Sequence, residues 1–213
     1  MQPTRRLPIG DLAPYLLEGP GTPLLLRWLE VFDNDQPVEI EVGSGKGLFL
    51  ITAAAARPGV NFLGIEIARK YQLFAANRVA KRKLTNVRVA RADARQFLRD
   101  CVPSSSCQAV HVYFPDPWWK RRHQKRRVLT VQFCTDCARV LTPGGRLRIA
   151  TDVEEYFSFA CNLLSQCDRL RAIRTTEPAS PRYGLDYLSN FERKFRQAGR
   201  TIYRLEFERA ITS

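Results

Sequence analysis

Histidine and methionine are almost missing from this chain: 213 residues contain two and one of them. Two imidazoles cannot build a three-histidine metal centre, and chemistry resting on several histidine acids and bases is not expected. Long apolar runs are absent too. None approaches the ~20 residues that a membrane-crossing helix needs, and no basic, apolar and small-residue leader pattern opens the sequence. No internal repeat is present. Acid is scarce relative to base, with 21 Asp and Glu against 34 Lys and Arg, for a net charge of +13. That excess points to a polyanionic partner, nucleic acid first. Cys134 and Cys137 form a CxxC without a second pair. They share one face of a helical pattern, which suits buried free thiols in a reducing cytoplasm better than zinc or redox work.

What is present reads as one α/β domain, 213 residues being enough for a substantial core. Residues 1–23 are rich in Pro and Gly and are expected to be a flexible segment. The domain is placed at 24–213, opening with an amphipathic helix over Leu24–Phe32. Strand patterns follow at Val38–Val42, Asn61–Glu66, Val87–Arg91, Ala109–Phe114 and Arg146–Ala150, each followed by a helical pattern. Regular alternation of this kind predicts a mostly parallel sheet covered by helices on both faces. Ligands of such sheets bind outside the carboxyl ends of the strands.

Acids stand at or just past four of those ends: Glu41, Glu66, Asp93 and Asp116. Gly43, Gly45 and Gly47 form a glycine loop between the first of these strands and a helix, where a ligand can approach the backbone closely. Leu48 takes the place of the further glycine of a dinucleotide fingerprint, which weakens a pyrophosphate reading. Glu66 suits the two hydroxyls of a ribose, and equally a strand cap. Asp93 suits an adenine amino group, and equally the N-cap of a following helix. Taken together, a glycine loop, a ribose acid and an adenine acid on successive strand ends describe a pocket for S-adenosylmethionine.

The densest signal is Tyr113–Arg127, YFPDPWWKRRHQKRR. Pro115 and Pro117 stiffen a turn that presents Asp116. Tryptophan faces stand beside it, and six Lys or Arg fall within the next eight residues, from Lys120 on. Such a run is either a solvated surface or a set of phosphate contacts.

This stretch, with Glu41-Val42-Gly43, Gly64-Ile65-Glu66, Ala92-Asp93-Ala94, Thr151-Asp152 and Phe191-Glu192, closely resembles the TrmB-type tRNA (guanine-N7-)-methyltransferases over Val38 to Arg209. The resemblance implies a Rossmann-like class I methyltransferase fold: a mostly parallel seven-stranded sheet with an antiparallel last strand. It implies transfer of a methyl group from S-adenosylmethionine to N7 of guanine 46 in the variable loop of tRNA. It implies that Glu41, Gly43, Gly45, Glu66, Asp93 and Asp116 line the cofactor site and that Asp116 is catalytic. Lys120, Asp152, Ser189, Asn190, Phe191 and Glu192 would bind the substrate. The family usually has threonine where Ser189 stands. Ser189 and Glu192 also spell a capping box, and Asp152 also suits an N-cap. A cytoplasmic monomer or homodimer with no metal is expected. Two other readings stay open: an amino-methyltransferase of DNA or protein, since Pro-Asp-Pro-Trp is similar to the loop of those enzymes, and a catalytically silent RNA-binding module on the same fold.

Overall fold

Short runs of β-branched and apolar residues alternate with longer apolar or amphipathic segments, and the chain folds accordingly. The computed structural model describes residues 8, 10–17, 25–118, 121–173 and 190–211. The strands are β1 (Leu16–Leu17), β2 (Val38–Val42), β3 (Asn61–Glu66), β4 (Val87–Arg91), β5 (Cys107–Tyr113), β6 (Leu141–Thr151), β7 (Leu170–Ile173) and β8 (Tyr203–Arg209). The helices are α1 (Trp28–Phe32), α2 (Leu48–Ala56), α3 (Arg69–Lys81), α4 (Ala94–Cys101), α5 (Val131–Val140), α6 (Glu154–Leu164) and α7 (Asn190–Gln197). Two 3-10 helices cover Gly10–Tyr15 and Arg121–Arg126.

The sheet order is β1-β4-β3-β2-β5-β6-β8-β7. Strands β1 to β6 pair in parallel, and β8 runs antiparallel between β6 and β7. One face packs under α4, α5 and α6 through Phe97, Leu98, Phe133, Val140 and Tyr156. The other packs under α2 and α3 through Leu50, Phe62, Ala75, Val79 and Val89. Helix α2 has little amphipathic character because six of its nine residues are buried. Helices α4 and α5 start at side-chain caps: Asp93 accepts the Arg95 N–H, and Thr130 accepts the Phe133 N–H. These caps satisfy donors that a helix start otherwise leaves open.

The expected parallel sheet with an antiparallel last strand is present, with an eighth strand beyond the seven expected. This strand, β1, lies in the segment 1–23 that composition marks as flexible. Leu12 of the preceding 3-10 helix is buried against the α2–α3 core, which draws Gly10–Leu17 onto the sheet edge. The helix expected over Leu24–Phe32 is shorter. Leu25–Arg27 are not helical, and the Leu26 N–H donates to the Cys101 carbonyl at 2.8 Å, a tertiary bond that replaces a first helical turn. Among the described residues no helix is long and apolar enough to cross a membrane.

Candidate active site

Strand β2 lies at the middle of the sheet, with β3 on one side and β5 on the other. The chain winds outward in opposite directions from this point, so the loops after β2 and β5 part and leave a crevice. The loop after β2 is the glycine loop. Gly43, Gly45 and Gly47 all have φ between 52° and 73°. A side chain at Gly47 would come within 2.8 Å of the Ala75 Cβ, so this glycine lets α2 and α3 pack closely. Beside Gly43 the space is open, and a ligand can reach the backbone there.

Glu66 closes β3 and is 7% exposed. Its Oε2 accepts the Gly45 N–H and its Oε1 the Ala68 N–H, both at 2.8 Å. The carboxylate therefore ties the glycine loop to the end of β3, a role that the sequence reading did not include. Glu41, 4% exposed, is the last but one residue of neighbouring β2, and its Oε2 has no hydrogen-bond partner. Burial pushes its carboxyl well above the usual carboxylate range, and the neighbouring Glu66 charge adds to this. A buried carboxylate oxygen without a partner is costly unless something fills the site. A group bringing N–H donors or positive charge fits that requirement. Asp93 is half-buried, and the Arg95 guanidinium holds it below the usual carboxylate range. Both the cap and a bidentate ion pair with Arg95 are therefore present at Asp93.

Asp116 lies in a turn that begins with Phe114, whose N–H donates to the Ala150 carbonyl at 2.7 Å. Phe114 and Trp118 bracket the turn at φ of 51° and 43°, conformations that bulky residues seldom adopt. Strain of this kind persists only where its surroundings enforce it. Here Arg127 enforces it: its Nε donates to the Pro117 carbonyl at 2.9 Å, and its guanidinium lies over the Phe159 ring of α6 at 4.8 Å. Asp116 itself is exposed, with no carboxylate partner among the described residues. Arg126 lies over the Trp118 ring at 5.2 Å. Arg95 also donates to the Lys125 carbonyl, linking the first turn of α4 to the basic 3-10 helix.

The substrate residues expected from the resemblance fare unevenly. Asp152 is paired with Arg200 at 2.7 Å. Glu192 is buried and joins Arg196 of its own helix to Arg204 of β8. Lys120 and Ser189 lie outside the described residues, as does Trp119. Asn190 and Phe191 form the start of α7, where only their backbone is described.

Sequence reasoning missed a buried polar chain beneath α2. Arg57 makes a bidentate ion pair with Glu39, His111 Nε2 lies 2.9 Å from Glu39 Oε2, and His111 Nδ1 lies 2.8 Å from the Tyr113 hydroxyl. Burial holds the His111 ring below its ordinary pKa, so it is neutral at pH 7. Its Nε2–H then donates to the ionised Glu39, and Nδ1 accepts from Tyr113. The polar residues alternating along VEIEV were the available signal. Ile67, directly after Glu66 and 67% exposed, is a second omission. It places an apolar side chain at the crevice rim.

The crevice thus joins an open glycine loop, an unsatisfied buried carboxylate and a fixed exposed carboxylate, with a basic segment alongside. Residues 35–205 match a family model described as a putative methyltransferase. The tRNA (guanine-N(7)-)-methyltransferase of Rhodopirellula baltica is 41% identical over 204 residues, covering 93% of this chain and 75% of that protein. The enzyme of the same name from Hydrogenovibrio crunogenus is 37% identical, covering 87% and 77%. Among solved structures, the 16S rRNA methyltransferase KamB superposes with a TM-score of 0.64 at 16% identity, covering 86% of this chain and 93% of that one. The aminoglycoside resistance methyltransferase NpmB1 gives 0.59 at 20%, covering 87% and 94%. The structural likenesses establish the fold, and the sequence relatives with the matched family model place the chain within the TrmB-type tRNA (guanine-N7-)-methyltransferase family.

Proposed function

We propose that this protein methylates N7 of a guanine in tRNA, at position 46 of the variable loop, with S-adenosylmethionine as methyl donor. The observation that carries the reading is Glu41: a buried carboxylate with an unpartnered oxygen, at the sheet's switch point, beside an open glycine loop. It suits the cationic amino acid end of this cofactor. Glu66, at the next strand end, suits the ribose, and Asp93 suits the adenine side. When bound, the cofactor supplies an electrophilic methyl group on a sulfonium.

The chemistry required of the chain is modest. Guanine N7 carries an in-plane lone pair and attacks without losing a proton. The methyl group would pass to N7 together with the positive charge that the sulfonium carried, and no proton would have to leave the base. No general base is needed. Catalysis then rests on holding N7 in line with the breaking bond and on placing negative charge where the purine becomes positive. Asp116 is suited to both tasks, because its turn is rigid and its carboxylate has no partner among the described residues. Arg127 is a positioning residue that holds the turn. The exposed cations of the Arg121–Arg126 helix would hold phosphates so that the target base reaches the crevice, out of its stack. The six cysteines are all free thiols, which agrees with a cytoplasmic setting. We take the working form to be a monomer or homodimer.

The test is incubation of the protein with methyl-labelled cofactor and unmodified tRNA. Label in the tRNA is the expected result. Label in DNA or protein but not in tRNA, or cofactor binding with no transfer to any of the three, would overturn the reading.

A further inference from the structure

No Asp or Glu occurs between Glu66 and Asp93, a stretch of 26 residues that contains eight Lys and Arg. In a chain with 21 acids, so long a gap is a feature that the active site does not explain. Helix α3 occupies half of it. The helix buries Gln72, Ala75, Ala76 and Val79 against the sheet and turns a different face outward. On or beside that outer face are Lys70, Arg78, Lys81, Arg82 and Lys83, all exposed except the half-buried Arg78. Lys46 of the glycine loop joins them. Its Nζ lies over the Phe74 ring at 5.6 Å, and its carbonyl accepts Arg78 Nη1 at 2.9 Å. The result is a strip of positive charge running from the crevice rim, four residues past Glu66, down the length of α3, about 20 Å for a helix of this size.

Arg78 and Lys81 have further interactions of their own, so the charge that the strip offers rests on Lys46, Lys70, Arg82 and Lys83. Among the described residues, the elements packed most closely against α3 are α2, β3, β4 and the 3-10 helix Gly10–Tyr15. Neither α2 nor β4 has an acid, β3 offers Glu66 at the crevice, and the 3-10 helix offers Asp11. Arg88 does not belong to the strip, because its guanidinium lies over Phe32 on the opposite face. The Arg121–Arg126 helix and α3 flank the crevice from the two faces of the sheet. The strip repeats the chemistry of a phosphate-binding surface on the side where the sequence motifs put none.

We propose that the outer face of α3, with Lys46 and the Arg82–Lys83 turn, is a second docking strip for the phosphate backbone of the tRNA. The inference rests on the function proposed above. The strip carries no base recognition. It fixes the orientation of the RNA body while the Arg121–Arg126 helix holds the strand near the target base.

The test compares wild type with the triple variant Lys70→Gln, Arg82→Gln, Lys83→Gln. All three side chains are exposed, and thermal melting checks that the fold survives. tRNA binding is measured across a salt series. Each lost phosphate contact removes about 0.7–0.9 from the slope of log affinity against log salt. The strip predicts a slope lower by about 2 to 3, at least a tenfold loss of tRNA affinity at low salt, a raised KM for tRNA and an unchanged kcat. Affinity for the demethylated cofactor should not change. A variant whose salt line runs parallel to and on top of the wild-type line would overturn the strip, while leaving wild-type methylation of tRNA, and with it the proposed function, intact. Equal losses for tRNA and for heparin, with an unchanged KM for tRNA, would also overturn it, marking a general polyanion surface. A wild type that does not methylate tRNA would bring down the functional reading first and the strip with it.

Discussion

Substituting glutamine for Glu41 keeps the shape of the side chain and removes its ability to ionise. In the protein as described, this carboxyl is 4% exposed, one oxygen has no partner, and Glu66 lies beside it. Burial first, and the Glu66 charge second, favour its protonated form. A cofactor bearing an ammonium and a sulfonium favours the ionised form instead. Binding must then expel a proton wherever the free carboxyl is protonated. The sign follows: affinity rises with pH between the lowered pKa of the bound state and the raised pKa of the free state. The limit is tenfold, or about 1.4 kcal/mol, per pH unit. Titration calorimetry in two buffers of different protonation enthalpy counts the protons directly. Wild type should release up to one proton, and Glu41→Gln none, with cofactor affinity weaker by about 1.5–3 kcal/mol and flat with pH. A folded-state pKa above the unfolded value also costs wild type stability as pH rises past 4.5 and towards that folded pKa. Cofactor-free Glu41→Gln should therefore melt higher than wild type at neutral pH. Identical proton release by the two proteins would refute the reasoning.

Two further predictions concern the buried polar chain and the basic helix. Burial tends to raise the Glu39 carboxyl, but the bonds from His111 and Arg57 outweigh it and hold the group at about 2, below its ordinary 4.5. Its contribution, about 3 kcal/mol, is full above pH 4.5 and is lost as pH falls towards 2; melting curves of wild type and Glu39→Gln should therefore converge over that range, and a gap that stays constant with pH would remove this role. Lys125→Gln with Arg126→Gln should lower the salt slope of tRNA binding by about 2 and leave cofactor affinity unchanged; an unaltered slope would make the Arg121–Arg126 helix a solvated surface.

Strand positions were legible because each strand is bounded by a turn or helix signal: β3 and β4 fall where NFLGIE and VRVAR stand, and α2 begins directly after the glycine loop. What escaped was set by tertiary contact. Alternation in VEIEV suggests a strand with one wet face, yet all five residues are buried. Helix α2 covers the polar face, and Arg57, His111 and Tyr113 supply the partners that let Glu39 stay there. Such partners come from distant segments and leave no local pattern. Strand β1 has two residues, too few for any period to show. Leu25–Arg27 fit a helical pattern, but the Cys101 carbonyl claims the Leu26 N–H. In the site, the acids at strand ends were visible as types at positions. The commitments of Glu66 to Gly45, of Asp93 to Arg95 and of Asp152 to Arg200 were not, because each pairing depends on how neighbouring loops are brought together.

The central claim concerns one atom of one base. A guanine methylated at N7 is cationic, and its ring, once reduced with borohydride, lets aniline cleave the RNA chain at that nucleotide. Unmodified tRNA treated with the protein and S-adenosylmethionine should gain a single such break, at guanine 46 of the variable loop. Asp116→Ala should lose the break while still binding tRNA and cofactor, since the carboxylate acts mainly in the transition state. Methyl incorporation without cleavage, a break at a different guanine, or a break of undiminished rate in Asp116→Ala would contradict the account.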